Sequence, residues 1–183
     1  MNLGYACINM NFSSLPKSQR ITTNRSMIKR TFAARGLPYA SELALANSRD
    51  LLKILQWNEQ HNIRFFRVSS DIFPWASEYE LAQLPDFEAI CDALQDAGDF
   101  IKEHNHRITS HPGPFNKLTS PRESVVVNTI RDLTVHGQLF DMLGLSRTPY
   151  NKLNIHVGAH YNDRQMALAN FCRNFERLPE SVR

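Results

Sequence analysis

Short apolar runs alternate along this chain with longer segments in which apolar residues recur every three to four positions. The short runs predict four β-strands, over residues 2–7, 63–70, 107–111 and 152–157. The longer segments predict four helices, over residues 41–62, 85–105, 120–144 and 163–178. Strands that alternate with helices predict a parallel sheet with right-handed crossover connections. The pattern therefore predicts an α/β fold built from four βα units.

The ends of the last two helices carry recognisable signals. Ser120 followed by Pro121 and Glu123 predicts a helix start with Ser120 as the N-cap and Glu123 closing a capping box. Gly144 predicts the end of the same helix. Asp163 is predicted to be the N-cap of the last helix.

Two architectures are compatible with this order of elements, an open doubly wound sheet and part of a (β/α)₈ barrel of the TIM type. The open sheet often has a Gly-rich phosphate loop after the first strand, but here residues 8–11 after Cys7 contain no glycine. A complete barrel normally needs about 200 residues or more. Four βα units within 183 residues would make about half of one.

Composition narrows the class of protein. The chain has 183 residues, 42% of them hydrophobic, which suits a single domain with its own core. No apolar run approaches the roughly 20 residues of a membrane helix, and the N-terminus does not resemble a signal peptide. Three cysteines are too few for a disulfide scaffold. We therefore expect a cytoplasmic protein, or a nuclear one in a eukaryote, with no membrane partner.

The charge is mildly basic, with a net value of +3. Part of the excess lies in residues 16–35, which contain six lysines and arginines and no acid. This stretch is interpreted either as a solvated loop or as an arm that contacts phosphates.

Candidate chemistry collects at the predicted carboxyl ends of the strands, where parallel βα folds carry their functional residues. His111 ends the third strand and His156 lies at the end of the fourth. Since adjacent strands lie about 4.8 Å apart, the two imidazoles could reach one metal ion. The alternative is that each is a hydrogen-bonded structural histidine. Asp71 and Glu78, which follow the second strand, are candidate carboxylates for phosphodiester hydrolysis.

Five segments together resemble the UV-damage endonuclease family of DNA-repair enzymes. They are "LGYACIN", "TTNRS", "FFRVSSDIFPWAS", "SHPGPFN" and "NIHVGAHYND", in the family's order, and the similarity extends from about Leu3 to Leu178. The resemblance implies a TIM barrel related to apurinic endonucleases of the endonuclease IV type. It implies a cluster of divalent metal ions, with Mn²⁺ expected. It also implies hydrolytic nicking of damaged double-stranded DNA immediately 5′ of pyrimidine dimers and 6-4 photoproducts.

The same resemblance assigns roles to individual residues. His111 and His156 match metal ligands, and Pro114 and Phe115 match a pair that enters the duplex at the lesion. Some members have histidine where this chain has Glu78, and many have glutamine and tyrosine in place of Pro114 and Phe115. Three further matches are catalytic residues: Tyr5, Asn9 and Glu78. Three others are DNA contacts: Asn116, Arg25 and Tyr161.

The family places further carboxylate, histidine and modified lysine ligands after the part that this chain matches. We therefore expect residues 1–183 to form the N-terminal half of a metal-dependent barrel domain and to be inactive alone. One alternative is a subunit completed by a second polypeptide, the C-terminal half, or by self-association. Another is a sugar isomerase of the same metal-barrel architecture.

Overall fold

The computed structural model describes residues 3–157 and 159–183. Its four strands are β1 (Gly4–Ala6), β2 (Phe65–Val68), β3 (Arg107–Ser110) and β4 (Lys152–Leu153). Its five helices are α1 (Met10–Ser13), α2 (Lys29–Gln60), α3 (Phe87–Glu103), α4 (Glu123–Met142) and α5 (Arg164–Phe175). Short 3₁₀ segments lie at Lys17–Gln19, Ala76–Glu78 and Leu81–Gln83. The predicted alternation of strands and helices is confirmed.

The strands form one parallel sheet in the order β1-β2-β3-β4. We call residues that pair across neighbouring strands a rung of the sheet. Because side chains alternate between the two faces along a strand, all side chains of one rung point to the same face of the sheet. Phe66 on β2 and Ile108 on β3 share a rung, and both are fully buried beneath the helices. The opposite face carries Phe65 and Arg67 and would line the inside of a barrel. The sheet is therefore the wall of a partial barrel, with helices outside.

The core lies between the sheet and α2 and α3. Leu51 and Leu55 of α2 and Ile90 and Leu94 of α3 are fully buried there. Near the end of α3, Gly98 lies against the last turn of α4, where an added Cβ would be 2.0 Å from the carbonyl oxygen of Leu143. The close approach of α3 and α4 therefore depends on the absence of a side chain at Gly98.

Helix α2 comprises two helical segments; the first, from Lys29, was not predicted, and the second begins a few residues before the predicted start at residue 41. The chain kinks at Gly36, whose φ of 60° and ψ of −155° are open to glycine and unfavourable for other residues. Pro38 follows at the beginning of the second helical segment, a position that tolerates a missing backbone N–H. Residues 29–35 of the basic stretch are therefore helical, and the interpretation of all of 16–35 as a loop is corrected.

The capping box predicted at Ser120 is also wrong. Helix α4 begins at Glu123, with Arg122 as its N-cap and no side-chain capping bond. Ser120 Oγ instead accepts a hydrogen bond of 3.1 Å from the backbone N–H of Arg122, because a serine hydroxyl can close a local turn as readily as cap a helix. The Asp163 prediction is confirmed, since its carboxylate accepts a bond of 2.9 Å from the N–H of Met166.

Within residues 3–157 and 159–183, no helix combines the length and apolar character needed to cross a bilayer.

An ionic cluster ties the end of α2 to the amino-terminal rim of the sheet. Glu59 accepts hydrogen bonds from Arg64 and from His106 Nε2, at 2.5 Å and 2.9 Å. These bonds, with Arg64 contributing most, lower the pKa of Glu59 from 4.5 to about 2. Burial lowers the pKa of His106, so its imidazole is neutral near pH 7 and donates a hydrogen bond from Nε2–H to the ionised carboxylate.

We expect Glu59→Gln to destabilise the fold at pH 7 and to matter less in acid. A carboxylate with a lowered pKa stabilises the fold fully above its unfolded pKa, near 4.5, and this contribution disappears as the pH falls towards 2. Urea denaturation of both proteins at several pH values measures the difference. Glu103→Gln, at a largely exposed residue, is the control. A difference that stays constant from pH 7 to pH 3 would contradict the prediction.

Candidate functional site

Two histidines meet at the carboxyl edge of the sheet. His111 directly follows β3, and His156 lies three residues after β4. Their ring centroids are 4.4 Å apart at an interplanar angle of 62°. Neither imidazole has a hydrogen-bond partner among residues 3–157 and 159–183. The structure thus brings together the two residues that the sequence placed at matching strand ends.

The electrostatics of the pair keep His111 neutral. Burial, the neighbouring His156 and Arg67, in that order, lower the pKa of His111. A neutral imidazole nitrogen is the form that binds metal ions, so His111 is suited to bind a divalent cation. In the part of the chain that the structure describes, no set of three or more histidine, cysteine, aspartate or glutamate side chains could hold an ion. The pair could supply two ligands to a metal ion, fewer than a coordination shell requires.

The turn after His111 projects an aromatic side chain. Phe115 is 89% exposed, the most exposed of the large apolar residues that the structure describes, and Pro114 beside it is also exposed. Asn116 is buried and holds the turn from within. Its amide donates to the carboxylate of Asp132 on α4 at 2.5 Å and to the carbonyl of Gly113 at 3.2 Å. The family resemblance assigned a DNA contact to Asn116, whereas its side-chain amide donates two hydrogen bonds within the protein.

Tyr5 and Asn9 form a separate group. The Tyr5 hydroxyl donates to Asn58 Oδ1 of α2 at 2.6 Å and accepts from Asn9 Nδ2 at 3.0 Å. Tyr5 shares a rung with the buried Phe66, so its ring lies on the helix side of the sheet, and burial raises its pKa. Among the described residues, no hydrogen bond joins this group to the histidine pair.

Asn58 was missed by reasoning from the sequence. It is fully buried and continues the apolar stripe that Leu51 and Leu55 form on α2. A polar residue in a buried stripe signals a hydrogen-bond partner elsewhere, but not which one.

Glu78 ends the 3₁₀ segment after β2 and is exposed. Its carboxylate forms no ion pair and no hydrogen bond among the described residues. Asp71, the other candidate, lines a cavity of about 460 Å³ with Phe115, Asp132 and His136. Neither candidate carboxylate forms a hydrogen bond or an ion pair with His111 or His156 among the described residues.

Arg25 has an internal partner. Its guanidinium forms an ion pair of 2.6 Å with the buried carboxylate of Asp50 and donates to the carbonyl oxygens of Thr22 and Arg20. These contacts fasten the basic stretch to α2. Tyr161 has a φ of 48°, in the left-handed region, and its side chain is 37% exposed. The predicted DNA contacts of both residues stay predictions.

The comparisons with known proteins agree on one family. The model of the family described as UV-endonuclease UvdE matches residues 1–183. A Schizosaccharomyces pombe protein named UV-damage endonuclease is 35% identical over 99% of this chain and 30% of its own length. A Clostridium perfringens protein named UV DNA damage endonuclease is 32% identical over 99% of this chain and 41% of its own.

A solved structure titled "Crystal Structure of SacUVDE" superposes on the whole chain with a TM-score of 0.84 at 32% identity. The chain covers 58% of the crystallised one. With the four-stranded parallel sheet, this match confirms the fold class, an α/β fold of the (β/α)₈ barrel type comprising its first βα units. The chain spans well under two thirds of each protein compared here.

Proposed function

The chain belongs to the UV-endonuclease UvdE family, and from this premise we propose that it is the N-terminal half, residues 1–183, of a DNA-repair endonuclease barrel. The complete barrel nicks double-stranded DNA immediately 5′ of pyrimidine dimers and 6-4 photoproducts by hydrolysis. The family match along the whole chain carries the proposal. It favours a nuclease over a sugar isomerase of the same architecture.

In this proposal, His111 and His156 are ligands of a divalent metal ion, with Mn²⁺ the candidate. The ion would supply Lewis-acid activation of the phosphodiester and a nucleophilic water at neutral pH. The chain keeps His111 neutral through burial and its neighbours, so that its nitrogen lone pair is available. Since the described residues provide only this pair, we propose that residues 1–183 alone do not incise DNA.

Pro114 and Phe115 are proposed to enter the duplex at the lesion. The turn is restrained by the Asn116–Asp132 hydrogen bond, so the exposed ring of Phe115 is presented from a fixed support. Damage weakens stacking and pairing and lowers the cost of opening the helix, which is a few kcal/mol. A rigid apolar pair therefore discriminates damaged from intact DNA.

A second polypeptide or a second copy of the chain is proposed to complete the barrel. Within the described sheet, β1 pairs only with β2 and β4 pairs only with β3, which leaves one open edge on each. Open strand edges favour pairing with another chain. Sedimentation of the pure chain, alone and with the C-terminal part of a relative, measures this association.

Incision by a completed barrel tests the proposed function. A chimera would join residues 1–183 to the part of the Clostridium perfringens relative that follows the matched region. With Mn²⁺ and an irradiated duplex, we expect a nick 5′ of the photoproduct from the chimera and none from residues 1–183 alone. A folded chimera that cuts irradiated and intact duplexes equally would contradict the proposal, as would lesion-specific cutting by the chain alone.

We expect Phe115→Ala to weaken binding of the chain to irradiated duplex about 10-fold, because stacking of one base on an aromatic ring contributes about 1–3 kcal/mol. Affinity for intact duplex should change little. Fluorescence anisotropy with matched irradiated and intact oligonucleotides measures both. Val127→Ala, which shortens an exposed apolar side chain on α4, is the control. Equal effects of the two substitutions would contradict the role of the Phe115 ring.

A further inference from the structure

One rung on the inner face of the sheet is unusually polar. It joins Ala6 of β1, Arg67 of β2, Thr109 of β3 and Lys152 of β4. Neighbouring strands lie about 4.8 Å apart, so Arg67 and Lys152 flank Thr109 on either side. The rung lies two residues before His111 on the same face of β3, about 6.6 Å along the strand.

Two atoms of this rung are buried without a partner. Arg67 Nε and Thr109 Oγ1 form no hydrogen bond within the described part of the chain. A buried donor left unpaired costs about 1–3 kcal/mol, and more in a charged group, so such atoms are rare unless a partner binds there. Neighbouring orphans on adjacent strands indicate that the rung is built around a missing polar group.

The charge of this face identifies the missing group as an anion. Neither Arg67 nor Lys152 forms an ion pair with a carboxylate among residues 3–157 and 159–183. The guanidinium of Arg107, one rung below, donates to the carbonyl oxygen of Tyr150 and packs over the ring of Phe65.

We propose that Arg67 and Lys152 bind a phosphate group on the inner face of the sheet, one layer below the histidine pair. The two cations approach from opposite sides of Thr109. A tetrahedral phosphate has oxygens that can bind both cations at once, whereas a planar carboxylate can use both of its oxygens on the two N–H groups of a single guanidinium. The inference rests on the proposed function only for the source of the phosphate, which is then a phosphodiester of the DNA substrate.

Phosphate binding by the chain itself tests this site. Isothermal titration with inorganic phosphate, in EDTA and at fixed ionic strength, needs neither metal nor DNA. We expect Arg67→Gln to weaken phosphate binding at least about 10-fold, and Lys152→Gln less, because a hydrogen bond to a charged group contributes about 1.5–3 kcal/mol. Arg67→Lys keeps the positive charge and loses the paired N–H donors of the guanidinium, so its phosphate affinity should lie between those of wild type and Arg67→Gln. Arg131→Gln, on the exposed side of α4, is the matched control.

The contradicting results are specific. Absence of phosphate binding by the wild type, unchanged affinity in both Arg67→Gln and Lys152→Gln, or an equal loss in Arg131→Gln would each overturn the site. Tighter binding of acetate than of phosphate would instead assign the rung to a carboxylate. If circular dichroism shows that Arg67→Gln is unfolded, the phosphate affinities of Arg67→Lys and Lys152→Gln decide whether the site exists. A chimera that fails to cut DNA leaves this result intact, so the two proposals fail separately.

Discussion

Replacing His111 with alanine is expected to lower Mn²⁺-dependent incision by the completed barrel more than about 100-fold. Loss of groups that merely orient a metal ligand already costs about 10- to 100-fold, and His111 is proposed to be a ligand itself. The half-buried ring stands 4.4 Å from the ring of His156, so its removal leaves His156 without the neighbouring imidazole. Incision of an irradiated oligonucleotide by the chimera and by its His111→Ala variant measures the loss.

The same substitution has a readout without catalysis. Mn²⁺ broadens the NMR signals of side chains that bind it, so the His156 ring signals of the chain should broaden at lower Mn²⁺ concentration in wild type than in His111→Ala. His61→Ala, on the opposite rim and stacked on Trp57, is the control and should match wild type. Equal broadening in all three proteins would show that the pair does not bind the ion.

Gly98→Ala is expected to destabilise the fold by about 3 kcal/mol, a fall in melting temperature of about 6 to 12 °C for a chain of this size. The added Cβ would lie 2.0 Å from the carbonyl oxygen of Leu143, so α3 and α4 must separate. The better helix propensity of alanine, about 1 kcal/mol, offsets only part of this cost. Thermal and urea denaturation measure the change. Since Asp132 of α4 holds the turn of Phe115, the shift should also reduce discrimination between irradiated and intact duplex.

Gly113→Ala is the matched control for this substitution. It makes the same chemical change in the turn beside Pro114, and an added Cβ there would meet nothing within 4 Å. We expect its stability to stay within about 0.5 kcal/mol of wild type. If the two substitutions cost the same, the contact between α3 and Leu143 is not the reason for glycine at position 98.

Helix boundaries show where local sequence is a sufficient guide. Asp163 caps α5 as its sequence predicts, because the N–H that it binds is three residues away. Ser120 has the same type of signal and closes a turn instead, since the competing bond to Arg122 is equally local. Residues 29–35 were predicted to be a loop although they are helical, because Gly36 and Pro38 mark the kink but do not show that helix also precedes it.

The candidate site divides in the same way. The sequence by itself determined the order of βα units and placed His111 and His156 at the same edge, because strand periodicity and parallel pairing are sufficient to align strand ends. Only the tertiary structure decided which residues face which partners. Tyr5 turns to Asn58, 53 residues away, and Arg25 to Asp50, 25 residues away. Arg67, by contrast, lies without a partner among the described residues on the inner face. Such partners depend on how helices pack on the sheet, and a pattern of neighbouring residues contains no record of that packing.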